Sequence, residues 1–293
     1  MFNPAVRMIQ PVDTKDRRAV ENEVSSLYLK GFPHGDHAFV SKAFGWVVDS
    51  FQGRYRNYQA IDAGYHDLEH TLQGTLCMAY LLSRYQLARA RPVLNQRMFE
   101  LGLLAILLHD TGYLKQHGDD DGTGAKYTLV HVDRSADFAK ALLTDKGFPQ
   151  SEIAAVRNMI HCTGVNLDLA AIDFHSDLER TTGFALGTAD LLAQMAAKDY
   201  VDKLPMLYSE FAESALFYEG KIEPLGHFTS ALDLMQKTPA FWEYYVLPKI
   251  NQDFEGLYRL LNDPYPDGPN YYLKRIEANM DRLRRQLASA VAG

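Results

Sequence analysis

Residues Met98–Gly112 read MFELGLLAILLHDTG, and the fold class turns on them. From Met98 to Leu108 a helical wheel would be apolar on almost every side, with Glu100 the one charge. Such a segment belongs inside a helical core rather than on its surface. It then carries an imidazole and a carboxylate, His109 and Asp110, into or beside that core. A buried carboxylate is costly unless a cation or metal partners it. Neighbouring residues on a helix point about 100° apart, so a metal shared by this pair requires the helix to end or bend. Thr111-Gly112 supplies the break.

The same periodicity recurs on both sides. Apolar residues at three- and four-residue spacing predict helices over Leu72–Leu87, His131–Leu143, Ser151–His161 and Thr182–Ala197. Ser151 reads as the start of its helix, with Pro149 ahead of it. A closing helix is expected over Tyr271–Val291, its basic residues forming a solvated face. Alternating strand patterns are scarce, so an all-α bundle is predicted. Lys115–Lys126 (KQHGDDDGTGAK) reads as a solvated loop, and Thr163–Glu179 and Asn262–Asn270 as further connections. No repeat or linker divides the chain. Residues 1–50 are expected to form a helical segment packed on the core formed by residues 51–293.

Composition narrows the functional classes. Of 293 residues, 47% are apolar and 23% charged, the balance of an ordinary folded chain. A net charge of −7 leaves no excess of Lys and Arg to neutralise phosphates, which argues against a general nucleic-acid binder. The two cysteines, Cys77 and Cys162, sit in apolar helical contexts and read as buried thiols of a reducing compartment. No apolar run is long enough for a membrane span, and Asp13, Asp16 and Glu21 interrupt any signal-peptide core. A cytoplasmic protein is the expectation.

Five of the ten histidines lie within or at the ends of apolar-periodic stretches: His66, His70, His109, His131 and His161. His66 and His70 are four apart in YHDLEH and would share one helical face. Asp190 sits in FALGTADLLAQMA among small and apolar neighbours. Helices of a bundle can aim such side chains at one central metal site.

The order His…His-Asp…His…His…Asp resembles the HD-domain superfamily of metal-dependent phosphohydrolases. YHDLEH, HDTG and ADL together look most like the cyclic-nucleotide phosphodiesterase catalytic domain. Glu210–Gly220 (EFAESALFYEG) and Phe241–Pro248 (FWEYYVLP) extend the likeness, which covers roughly Tyr65–Leu261. The resemblance implies an HD-type bundle in which His70, His109, Asp110 and Asp190 hold a first metal. Asp110 would bridge to a second, completed by His131 and His161, and His66 would protonate the leaving oxygen. Asp67 stands where the family commonly has an asparagine, and three further departures matter. Tyr113 replaces a common histidine, Thr238 stands in place of the glutamine that reads a purine, with Gln236 out of register, and the second-site histidines His131 and His161 look more like the iron- or manganese-type HD proteins. These bear on the cyclic-nucleotide substrate more than on phosphoester chemistry.

The expected cofactors are two divalent ions: Fe, Mn, Zn or Ni at the imidazole-rich place, with Mg an option at the second. Asp67, Glu69 and Asp133 are candidates to orient the imidazoles. Lys115 is a candidate phosphate contact, and Phe241, Tyr244 and Phe217 candidates for stacking a base. The expected activity is a phosphodiesterase on a small, nucleotide-like phosphoester, with a homodimer as the one protein assembly considered. A nucleotidase or phosphomonoesterase, an HD-type di-iron oxygenase and a non-catalytic metal-binding module are the alternatives.

Overall fold

Asp67, Asn95, Ser176 and Ser230 decide where four of the helices begin. Each precedes a helix, and its side-chain oxygen accepts from the backbone N–H three residues on, at His70 (2.8 Å), Met98 (2.8 Å), Glu179 (3.1 Å) and Asp233 (3.1 Å). The computed structural model describes residues 9, 12–164, 168–219 and 228–292. Among them the regular structure is helical and no strand is present beyond isolated bridges. The helices are α1 (Arg17–Gly31), α2 (Phe39–Phe51), α3 (Leu68–Leu87), α4 (Gln96–Leu108), α5 (His131–Asp145), α6 (Gln150–His161), α7 (Asp177–Ala196), α8 (Tyr200–Phe217), α9 (Ala231–Phe241) and α10 (Tyr271–Ala292). No described helix is long and apolar enough to cross a membrane.

α4 is the buried axis that its sequence predicts: every residue from Phe99 to Leu108 is inside. Around it lie α2, α3, α5, α6 and α7, while α7 also packs on α3 and α10. Each fully buried Leu or Ile of α4 is worth roughly 1.5–3 kcal/mol by area removed from water. α1 lies on α3, and α1 and α2 bury Val20, Val24, Tyr28, Phe44 and Val47 in the same core. Both cysteines are buried and free.

Three local expectations change. Ser151 does not cap α6, which starts at Gln150 behind Pro149 with no side-chain cap. His66 is not on a helix with His70, because Asp67 between them is in an extended conformation and caps α3. The Lys115–Lys126 loop has an exposed middle but buried ends. Lys126 is 2% exposed and reaches the Asp119 carboxylate and the Asp121 carbonyl, so one of the loop's three aspartates is paired with an internal cation. Beyond α9 the chain continues through two widened, π-helical turns, Trp242–Val246 and Lys249–Asp253. They flank Pro248, which has no N–H to give the ordinary ladder. Gly220, the last residue of the Glu210–Gly220 segment, lies outside the described residues.

Glu100, the one charge within α4's apolar run, is buried but satisfied: it accepts from the Tyr28 hydroxyl (2.6 Å), the Gln96 amide (2.8 Å) and Arg97 (2.7 Å). The Tyr28 bond ties α1 to the central helix. Tyr28→Phe should therefore lower the unfolding free energy by about 1–2 kcal/mol. Urea denaturation checks this, and an unchanged midpoint would mean that packing alone holds α1.

Candidate metal centre

α4 stops at Leu108, and a single 3-10 turn, Thr111–Tyr113, replaces it. The Thr111 hydroxyl caps the Leu108 carbonyl at 2.7 Å. That break is what lets His109 and Asp110 face one point from consecutive positions. From α3, His70 places Nε2 3.2 Å from Asp110 Oδ2 and 3.6 Å from Asp190 Oδ1. His109 Nε2 lies 3.2 Å from Asp110 Oδ2 and 3.5 Å from Asp190 Oδ1 of α7. All four residues are at least largely buried, and His109 Nε2 and Asp110 Oδ2 have no hydrogen-bond partner. Two nitrogens and two oxygens thus converge with orphaned atoms among them. His70, His109 and Asp190 each offer a ligand atom within 4.8 Å of the others, as do His66, His70 and Asp110.

The imidazoles are aimed mainly by main chain. His109 Nδ1 bonds the Ile106 carbonyl at 2.6 Å and His131 Nδ1 the Thr128 carbonyl at 2.7 Å. A carbonyl only accepts, so each Nδ1 carries a proton and Nε2 is the nitrogen turned to the site. His131 Nε2 lies 3.9 Å from Asp110 Oδ1. Of the predicted orienting acids, Asp67 holds the backbone N–H of His70, Glu69 bonds Gln73 and Lys203, and Asp133 faces His161. None reaches an imidazole within the nest.

His66 is gripped by a residue to which the sequence assigned no role. Glu210 of α8 accepts from His66 Nδ1 at 2.5 Å and from the Tyr65 N–H at 2.6 Å. An acid in the otherwise apolar face of α8 is the signal that would have found it. On its other side His66 stacks on Tyr113, ring centroids 4.3 Å apart, and Tyr113 in turn stacks on His131 at 4.8 Å.

Charge in this nest is shared. Burial opposes charging His70, yet Asp110 and Asp190 hold its pKa up at about 9. Burial likewise opposes charging His109, and the same carboxylates push it well above the ordinary imidazole value. Burial would raise the Asp110 and Asp190 carboxyls, but His109 and His70 draw both well below the usual range. His131, where burial outweighs Asp110, is lowered and stays neutral. The two carboxylates therefore require positive charge beside them, from protons on imidazole or from a cation that displaces those protons.

The nest forms one end of a cavity of about 510 Å³. His66, His70, Asp110, Tyr113, His131 and Asp190 line that end. Phe241, stacked on Tyr245, also lines the cavity. Two predicted site residues stand elsewhere. Lys115 Nζ is held by Asp62 Oδ2 (2.8 Å) and the Gly122 carbonyl (2.6 Å), and it closes its own loop instead of facing the cavity. His161 closes α6 beside the first turn of α5, where its Nδ1 meets Asp133 at 3.6 Å; Thr163 is what this stretch gives the cavity. Tyr244 is 79% exposed and Phe217 packs on Tyr127, so neither is a wall.

Two predictions follow from this geometry. In calorimetric titration of metal-stripped protein with Mn(II), Asp190→Asn should weaken binding at least tenfold, while Asp133→Asn leaves it unchanged. Gly112→Ala should also damage the site, because a Cβ there lands on the His131 carbonyl oxygen and must push α5 away. Its expected signature is a loss of about 1–3 kcal/mol in stability, read by thermal unfolding.

No curated protein matches this chain. Residues 42–261, from the middle of α2 past the widened turns and so spanning every residue of the nest, match the Npun_R2479-like family, and the chain belongs to that family.

Proposed function

We propose that the chain is a metal-dependent phosphoester hydrolase of the HD type, acting as a phosphodiesterase on a small molecule. The observation that carries this reading is the convergence of His70, His109, Asp110 and Asp190 on buried, partnerless atoms at the end of a cavity large enough for a substrate. An N₂O₂ donor set suits Fe, Mn, Zn or Ni. Asp110 Oδ1, turned toward His131, offers the start of a second place for a harder ion such as Mg. A divalent cation held there supplies Lewis acidity toward phosphoryl oxygens and lowers the pKa of water towards ~7.

The chain's own residues supply the rest. In hydrolysis a water oxygen bonds to phosphorus, losing a proton, as the P–O ester bond breaks; the departing oxygen needs a proton, and His66 Nε2 would give it. Nδ1–H is tied to Glu210, whose carboxylate is kept ionised by His66 against the effect of burial. A carboxylate on the far nitrogen stabilises the imidazolium that must exist before transfer. Tyr113 and Glu210 clamp the ring between a stack and a hydrogen bond, which fixes the direction of Nε2. A purely structural ion would have no use for this further, carboxylate-tethered imidazole, which favours catalysis over a binding module.

Metal-loaded protein should cleave bis(p-nitrophenyl) phosphate faster than p-nitrophenyl phosphate; the reverse order would mean a monoesterase. Asp110→Asn should lose both metal and turnover. Glu210→Gln should keep the metal but lose rate by ~10²–10⁴-fold on alkyl esters, and far less on p-nitrophenyl esters, whose leaving group needs no proton. Equal losses on both ester classes would sink the proton-donor role of the His66–Glu210 pair.

A further inference from the structure

The cavity has two chemically distinct halves, and the half away from the nest has been given no ligand. Its wall is one face of α8, with Leu204, Leu207 and Phe211 at helical spacing, and one face of α9, with Leu234 and Phe241, closed by Leu191 of α7. These side chains do not close on one another but stand around open space. Interiors pack with few voids larger than a water, so an apolar-walled space in a cavity of about 510 Å³ is built for something that enters it.

Several of the polar groups in that half are already engaged. The Thr238 hydroxyl donates to the Leu234 carbonyl at 2.8 Å, so its hydrogen is spent on its own helix. The Gln194 carbonyl accepts from the Tyr65 hydroxyl at 3.3 Å. Among the described residues Lys237 is the one Lys or Arg in the wall, and its ammonium lies 2.9 Å from Asp233 and over the Phe228 ring. A chain of phosphates would find no arginine fork or lysine cluster to neutralise it there. Apart from the Gln194 amide N–H groups and the Tyr200 hydroxyl, the wall offers a polar sugar and base few partners, and hydrogen bonds left unmade cost affinity.

Building on the hydrolase reading above, we propose that the substrate is an ester of a single phosphoryl group with a bulky, apolar and uncharged alcohol, rather than a nucleotide or a polyphosphate. The phosphoryl end sits at the histidine–aspartate nest, and the alcohol fills the space between α8 and α9. Phe241, 39% exposed, forms the outer wall.

The test uses the full chain loaded with Mn(II) and non-cleavable phosphonates, followed by calorimetry. Benzylphosphonate should bind at least tenfold more tightly than methylphosphonate, and more tightly than AMP, cyclic AMP or ADP. Phe241→Lys, on a partly exposed helical face, should fold as the parent does by circular dichroism. It should cut the benzyl-over-methyl preference at least fivefold and leave methylphosphonate affinity unchanged. Nucleotides binding as tightly as benzylphosphonate, or equal affinities for the two phosphonates, would overturn the substrate class while leaving the hydrolase reading intact. Preferential binding of benzylphosphonate with no turnover of phenyl or naphthyl mono- and diesters would support the apolar pocket and overturn the hydrolase reading instead.

Discussion

Two carboxylates in a low-dielectric interior are the constraint around which the bundle is arranged. Asp110 and Asp190 approach His70 and His109 at 3.2–3.6 Å. Placing such groups together inside costs several kcal/mol per ion unless geometry and counter-charge are good. The structure tolerates them because α4, buried on all sides, supplies a rigid support that ends one residue before the site. What a well-packed core contributes in stability, a functional nest partly gives back.

The helix map was legible because the signals were local and redundant. α4 announced itself by its uninterrupted apolar run, and α3, α5, α6, α7 and α10 by periodicity, with ends displaced by up to five residues. The displaced starts of α3 and α7 share a cause: a short polar side chain, Asp67 or Ser176, bonding its neighbouring backbone. Asp67 reads as one more residue of a helical YHDLEH, yet its carboxylate takes the His70 N–H and starts the helix there. His66 is thereby detached from α3, but the turn still returns its ring to within 5.3 Å of His70. The pairing survived although its geometric reason was wrong.

The site was half legible. Residue types identify candidates for a nest, whereas long-range packing decides which of them meet. Asp190 is 80 residues from Asp110 and arrives only because α7 packs along α3 and α4. His161 carries the same chemistry and does not arrive, because α5 and α6 pair with Asp133 facing it. Lys115 fails for a similar reason: Asp62, remote in sequence, holds its ammonium. The groups that aim His109 and His131 are main-chain carbonyls, which every residue possesses, so no pattern of side chains could reveal them.

The division of the cavity follows from which helices build each end. α3, α4 and α5 contribute helix ends and first turns, where backbone groups are available to orient imidazoles. α8 contributes mid-helix positions, whose backbone groups are already paired, so only side chains can speak to a ligand there, and these are mostly leucine and phenylalanine. Glu210 is the exception: it lies on α8 but turns to the Tyr65 and His66 N–H groups at the start of the nest. One helix thus carries both the apolar wall and the carboxylate that tethers the proposed proton donor. A ligand that packs against Leu207 and Phe211 presses on the element that positions Glu210. If the chain is the hydrolase proposed above, binding energy from the unreactive end of a substrate has a mechanical route to the reacting end, the arrangement in which remote contacts raise turnover rather than affinity alone.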